Sequence, residues 1–190
     1  MFGVVYTLSP IGSGMATRKT SIFTLTERLT ISSNSNAELA TIDLGSYVDV
    51  GDRQGLQIHS VDFIYQGTTA SEVLQVTFAG DSETKIQVTD LNRGGLVFAN
   101  DRSLVASGQL NFDTGTNQVS NVADIYPDNF GKGSDDGRYV VNDTLYITGQ
   151  TTGLDAAKAM NVIVRVNASI VTLGAKDFMA IAIQSTAADN

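Results

Sequence analysis

Apolar and polar residues alternate one by one in several stretches of this chain, and that alternation favours a β-sheet fold. Between residues 22 and 31, Phe23, Leu25 and Leu29 are apolar, whereas the residues between them are mostly polar. Successive side chains of a strand point to opposite faces of its sheet, so this period predicts one buried and one solvated face. Glu27 falls on the apolar side, and we expect it at an end of the sheet.

The same pattern, bounded by clusters of Gly, Asn, Asp and Ser, predicts further strands along the chain. The clearest hairpin is predicted at 73–88, with its connection at 79–83. A change of apolar phase between Ile58 and Val61 predicts a β-bulge. The other predicted strands lie at 38–44 (with a continuation to 50), 56–66, 96–112 as one interrupted or two short strands, 139–149 and 161–173.

Two segments do not show a clear strand pattern. Residues 113–137 are rich in Asp, Asn and Gly and are predicted to form a long loop, of the kind that is functional or lies at an interface. Residues 175–184 fit both a helix and a strand. No crossover helix is visible, which argues against a parallel sheet. The eight strand regions therefore predict an all-β, antiparallel two-sheet β-sandwich.

A chain of 190 residues has the usual length of one domain. We expect an N-terminal arm at 1–19, the sandwich at 20–174 and a C-terminal segment at 175–190. Within the arm, residues 1–14 are interpreted either as an added leader that precedes a second start at Met15 or as an ordinary flexible arm.

The surface is predicted to be polar but weakly charged. Charged residues make up 17% of the chain, against about 25% in an average protein. Such a surface loses little hydration when it is covered, which favours extensive protein–protein contacts. The net charge of −8 argues against a nucleic-acid binder, and Arg18 and Lys19 are too few for a basic arm. No segment is apolar enough to span a membrane.

The residue types that most enzymes need are scarce. His59 is the one histidine, and a position in the middle of a strand makes it a polar surface residue rather than a catalytic base. Gly131-Lys132-Gly133-Ser134 lacks the spacing of a phosphate-binding loop. The sequence therefore predicts that the protein is not an enzyme and needs no cofactor.

One acidic cluster is a candidate for binding Ca²⁺. Asp124, Asp128, Asp135 and Asp136 lie in the predicted long loop, and hard carboxylate oxygens suit this ion. Their spacing does not match an EF-hand loop, and a solvated loop is the alternative interpretation.

The layout resembles that of viral single jelly-roll capsid proteins of tailless icosahedral viruses. The resemblance covers residues 20–174 and includes the stretch from Asp143-Thr144-Leu145-Tyr146 to Lys176-Asp177-Phe178. It implies an eight-stranded jelly roll and a structural coat protein of the virion that self-assembles into a capsid. The implied partners are copies of the same chain, with other coat proteins as an open alternative.

Two other functions fit the same pattern. A carbohydrate-binding or adhesin sandwich, extracellular or at the cell surface, would use the 113–138 loop for recognition. A pilus or filament subunit would share a strand between copies, with Phe2 to Leu8 as the donor.

Overall fold

The computed structural model describes residues 16–116, 118–123, 138–155 and 158–187, which form two antiparallel sheets packed face to face. The elements are β1 Thr17–Arg18, β2 Phe23–Ile31, β3 Glu38–Asp43, β4 Gln54–Gln66, a 3-10 helix Leu74–Thr77, β5 Ser82–Thr89, β6 Leu104–Asp113, β7 Gln118–Ala123, β8 Arg138–Val140, β9 Thr144–Thr151, β10 Met160–Thr172 and α1 Ala175–Ala187.

The order of the strands is that of a jelly roll. Sheet A contains β2, β10, β4 and β8 as successive neighbours, and β1 continues the line of β2 along the same edge of β10. Sheet B contains β3, β9, β5, β6 and β7. Without β1 and β7, each sheet has four strands, and the chain crosses repeatedly between the sheets. The predicted all-β sandwich and eight-stranded jelly roll are therefore confirmed.

The central strand β10 supplies much of the core. Val162, Val164 and Val166 are completely buried, as the alternation in 161–173 predicts. Ile86 and Ile147 of sheet B are equally buried in the same cluster. Full burial of each such side chain contributes about 1.5–3 kcal/mol, so contact between the inner faces stabilises the fold.

Two glycines let the sheets approach closely. A Cβ at Gly149 would lie 2.5 Å from Leu29 Cδ2 and 2.8 Å from Ile31 Cδ1. A Cβ at Gly108 would lie 2.7 Å from Phe63 Cδ2. These distances are shorter than ordinary carbon contacts, so a methyl group at either position would force the facing side chains to move.

The predicted bulge lies at His59. Asn167 of β10 is opposite Ser60, but Ala168 is opposite Ile58, so His59 is the extra residue. Its Nε2 lies 2.9 Å from Ser169 Oγ. The bulge lets apolar residues on both sides of it face the core, which accounts for the phase change in the sequence.

A second, smaller cluster lies on the outer face of sheet A. After Ala168 the buried positions of β10 shift, and Val171 and Leu173 pack with Phe178 of α1. Residues 175–184, whose pattern fits both a helix and a strand, therefore belong to helix α1, because apolar residues at helical spacing can pack against this cluster. In the part of the chain that the structure describes, no helix has the length and hydropathy needed to cross a membrane.

The predicted 73–88 hairpin is wrong. Leu74–Thr77 is a 3-10 helix, and β5 pairs with β6 on one side and β9 on the other. Since both edges of β5 are occupied, no hairpin partner can be added.

Three predicted boundaries also differ from the structure. The second strand ends at Asp43, where a turn begins with Val48 N donating to Leu44 O at 3.0 Å. The predicted 96–112 strand begins only at Leu104. Within the predicted 113–137 loop, Gln118–Ala123 forms a short strand on β6.

We expect Gly149→Ala to lower the free energy of unfolding by about 1–3 kcal/mol, because the new methyl group overpacks the core. Chemical denaturation measures the change. Gly80→Ala is the matched control, since nothing lies within 4 Å of a Cβ there. Equal stability of both variants would contradict the packing described above.

We expect stability to fall as the pH drops below about 6.5, because His59 resists protonation in the folded state. Burial and the charge of Arg18 lower the pKa of His59 below its ordinary value of 6.5. The unfolded chain then binds more protons, so stability rises with pH in that window. His59→Gln should flatten this part of the curve, measured by thermal melting across pH; an unchanged slope would contradict the assignment.

Candidate assembly surface

Residues 90–103, between β5 and β6, form a loop that folds over the outer face of sheet B. Gln87 of β5 fixes its middle: the side-chain Oε1 accepts from Val97 N at 2.7 Å, and Nε2 donates to Val97 O at 2.9 Å. The amide thus pairs with the backbone as a neighbouring strand would. The loop is thereby held in one position by both polar groups of a single residue.

An ion pair closes the base of this loop. Arg93 Nε lies 3.3 Å from Asp101 Oδ2, and Asp101 Oδ1 accepts from Ser103 N at 2.8 Å and Ser103 Oγ at 2.6 Å. Burial opposes ionisation of Asp101, but the bonds from Ser103 and the charge of Arg93 outweigh it and lower the pKa of the carboxyl. Asp101 is therefore an ionised anchor.

A second ion pair ties the loop to sheet A. Arg138 Nη2 lies 3.2 Å from Asp90 Oδ2 and donates to Arg102 O at 2.6 Å. Asn142 Nδ2 donates to Asp90 O at 2.6 Å. Burial raises the pKa of Asp90, although the charge of Arg138 acts in the opposite direction. Both ends of the loop are thus fixed by partly buried polar contacts.

This anchored loop presents an aromatic ring to solvent. Phe98 is 87% exposed. Next to it, Leu96, Val97 and Ala99 line a groove of about 360 Å³ whose floor is formed by outward residues of β5 and β6. Lys85 is the charged residue in this lining. A large exposed apolar side chain on a fixed loop is typical of a protein-binding surface. We name Phe98, this groove and the loop the assembly surface.

The predicted calcium ligands Asp124, Asp128, Asp135 and Asp136 lie outside the described residues. Among the residues that the structure does describe, no three His, Asp or Glu side chains group as metal ligands. The candidate Ca²⁺ site stays a prediction.

His59 and Ser169 are at the distance of a catalytic serine–histidine pair, but their surroundings do not suit catalysis. Ser169 is completely buried, so a substrate carbonyl could not reach its hydroxyl. The charged group that affects His59 is Arg18, whereas a catalytic histidine is oriented by a carboxylate. The pair is therefore a structural contact across the bulge.

Sequence reasoning missed the assembly surface. It assigned Leu96–Ala99 to a strand because the run is apolar, and nothing in the run itself shows that Phe98 points to solvent. The flanking Gly94-Gly95 and Asn100-Asp101 pairs could have indicated a loop. Gly94 has a φ of 67°, a backbone conformation that favours glycine.

The solved structures similar to this chain include viral proteins. VP1 of KI polyomavirus, solved as an unassembled pentamer, is 10% identical with a TM-score of 0.43, and the match covers 84% of this chain and 98% of that one. VP1 of Trichodysplasia spinulosa-associated polyomavirus, solved with sialylated glycooligomers, is 9% identical with a TM-score of 0.41, covering 85% and 99%. A structure of Desmodium yellow mottle tymovirus is 6% identical with a TM-score of 0.36, covering 90% and 96%.

The expected resemblance to viral capsid proteins is confirmed as a resemblance. At such low identities and TM-scores it carries no functional argument, and the jelly roll rests on the strand order of this chain. No family model and no curated protein matches the sequence.

We expect Gln87→Ala to release the loop, because the Val97 amide and carbonyl lose both partners. Hydrogen exchange of the Val97 amide should become about fivefold to tenfold faster, as the loss of one ordinary hydrogen bond implies. Gln109→Ala is the control: this side chain lies on the same outer face but bonds Asn111 Oδ1 at 2.9 Å. Unchanged exchange in the Gln87 variant would mean that the loop is held by other contacts.

Proposed function

We propose that this chain is a structural coat subunit that self-assembles through repeated contacts into a viral capsid, and that its working location is the virion. The exposed Phe98 on a loop anchored at both ends is the observation that carries the proposal. A jelly-roll sandwich with such a loop can present the same surface in every copy, as a closed symmetric assembly requires.

The energetics of the assembly surface support this role. Burying a phenylalanine side chain contributes about 1.5–3 kcal/mol, and the contribution recurs at each copy of a symmetric contact. Because Gln87 and the two ion pairs already hold the loop, little conformational entropy is lost on binding.

The charge distribution supports the same role. Only Lys85 in the groove lining is charged, and it lies 3.0 Å from Glu83. A contact here removes few ions from water. The repulsion between copies of net charge −8 acts at longer range and is screened within about 10 Å at 0.1 M salt.

We expect the purified protein to form large particles, and Phe98→Ser to raise the concentration needed for their formation by about tenfold or more. Light scattering and negative-stain microscopy measure both. Val73→Ser is the matched control, since Val73 is 65% exposed outside the assembly surface. A wild-type protein that stays monomeric at high concentration in several salts would overturn the proposal, and glycan binding by that monomer would favour the carbohydrate-binding alternative.

A further inference from the structure

Next to the apolar cluster that packs against α1, the outer face of sheet A has polar side chains that bond to each other across strands. Thr24 Oγ1 donates to Asn167 Oδ1 at 2.7 Å, and Asn167 Nδ2 donates to Ser60 Oγ at 2.9 Å. Farther along, Thr30 Oγ1 donates to Asn161 Oδ1 at 2.8 Å. This ladder crosses β2, β10 and β4, so the face is already ordered before any partner binds.

Three exposed arginines lie on this face. Arg28 of β2 is opposite Ile163, and Arg165 of β10 stands between Thr26 and Asp62. Arg18 of β1 is opposite Val171. Asp62 is the exposed carboxylate that faces them from β4. In a chain of net charge −8, this face therefore has the opposite sign to the molecule; we name it the cationic face.

Among the described residues, ion pairs join Lys85 to Glu83, Arg93 to Asp101, Arg138 to Asp90 and Lys158 to Glu72. The described cations outside these pairs are Arg18, Arg28 and Arg165 on this face and Lys19, Arg53, Arg102 and Lys176 elsewhere. The three arginines are distinguished by their placement, since β1, β2 and β10 bring them to one face of sheet A. The cationic face can therefore attract a partner of opposite sign.

One end of the sandwich has the complementary charge. Asp43 ends β3 opposite Thr144, and Asp143 immediately precedes that residue. The backbone joins them there, since Leu44 N donates to Asp143 O at 2.7 Å. Asp49 lies in the adjoining turn, and all three carboxylates are exposed. We name these three residues the acidic end.

We propose that the cationic face of one copy docks on the acidic end of a second copy. This inference rests on the proposed coat function and names the partner of a second contact. Each copy has a negative net charge, but the cationic face and the acidic end attract each other, so two copies can bind in one defined orientation. The two surfaces are different patches of the chain, so the contact is heterologous and generates a ring when its rotation closes.

A nucleic acid fits this face less well than a second copy does. Three phosphate contacts release few counterions and give weak binding. The net charge of the whole chain also repels a polyanion, whereas the acidic end is present on every copy.

The test compares assembly of full-length charge variants by sedimentation velocity. Arg28→Glu with Arg165→Glu should raise the concentration for assembly by about tenfold or more at about 0.05 M salt, with a smaller difference at about 0.5 M. Arg28→Lys with Arg165→Lys is the control and should assemble as the wild type does. Thermal melting verifies that each variant folds.

A second pair of substitutions tests the partner. Asp43→Lys with Asp143→Lys should weaken assembly to a similar degree, and combining all four substitutions in one chain should restore it. Absence of that rescue, or an unchanged arginine-to-glutamate variant, overturns the contact while leaving the coat function intact. The third outcome concerns a single-stranded nucleic acid of ~20 nucleotides. If it binds in a salt-sensitive manner and the arginine substitutions abolish this binding without changing assembly, the contact between copies is overturned in favour of a nucleic acid. A wild-type protein that never assembles would overturn the coat function itself.

Discussion

Apolar packing between the inner faces of the two sheets determines the rest of the molecule. The valines of β10 lie in one buried cluster with Ile86 and Ile147, and Gly108 and Gly149 leave room for side chains of the facing sheet. A charged group would lose its hydration in that layer, so the described charged residues lie on outer faces, in loops or at edges, and Glu27 is on the edge strand β2. The side chains that can contact a partner are therefore those that the apolar core excludes.

The two outer faces are used differently. Sheet B is covered by the 90–103 loop, which brings an aromatic side chain and a groove of low charge to the surface. On sheet A, α1 packs over one end of β10, and elsewhere on its outer face hydrogen-bonded threonines and asparagines lie beside arginines. Burial of apolar side chains contributes mainly to the affinity of a contact, whereas complementary charges determine its orientation and the choice of partner. One small domain can thus separate these two tasks on opposite sides.

The sandwich could be predicted from the sequence because apolar and polar residues alternate over most of β2 and β10. The phase change beside His59 even located the bulge. The prediction failed where an apolar run does not form a strand. Leu74–Thr77 is a 3-10 helix because both edges of β5 are already occupied by β6 and β9. This pairing involves strands that are distant in the sequence, so the residues around 74–77 cannot reveal it. The strand β7 was missed because its six residues lie within a segment that is rich in Asp, Asn and Gly.

The candidate surfaces were less predictable than the fold. Exposure of Phe98 depends on a pairing between Gln87 and Val97, which are ten residues apart, and the cationic face combines Arg28 with Arg165 from opposite ends of the chain. Such combinations depend on which residues of paired strands lie opposite each other. This register is known only when the complete order of the strands is known.

The position of β10 in the chain also determines when the cationic face forms during folding. Thr30 of β2 bonds to Asn161 of β10, which is 131 residues later in the chain. Such long-range pairing forms slowly, because the chain between the partners must close into a loop before their contacts can form. The cationic face combines Arg28 of β2 with Arg165 of β10, so it is complete only after β10 has paired with β2.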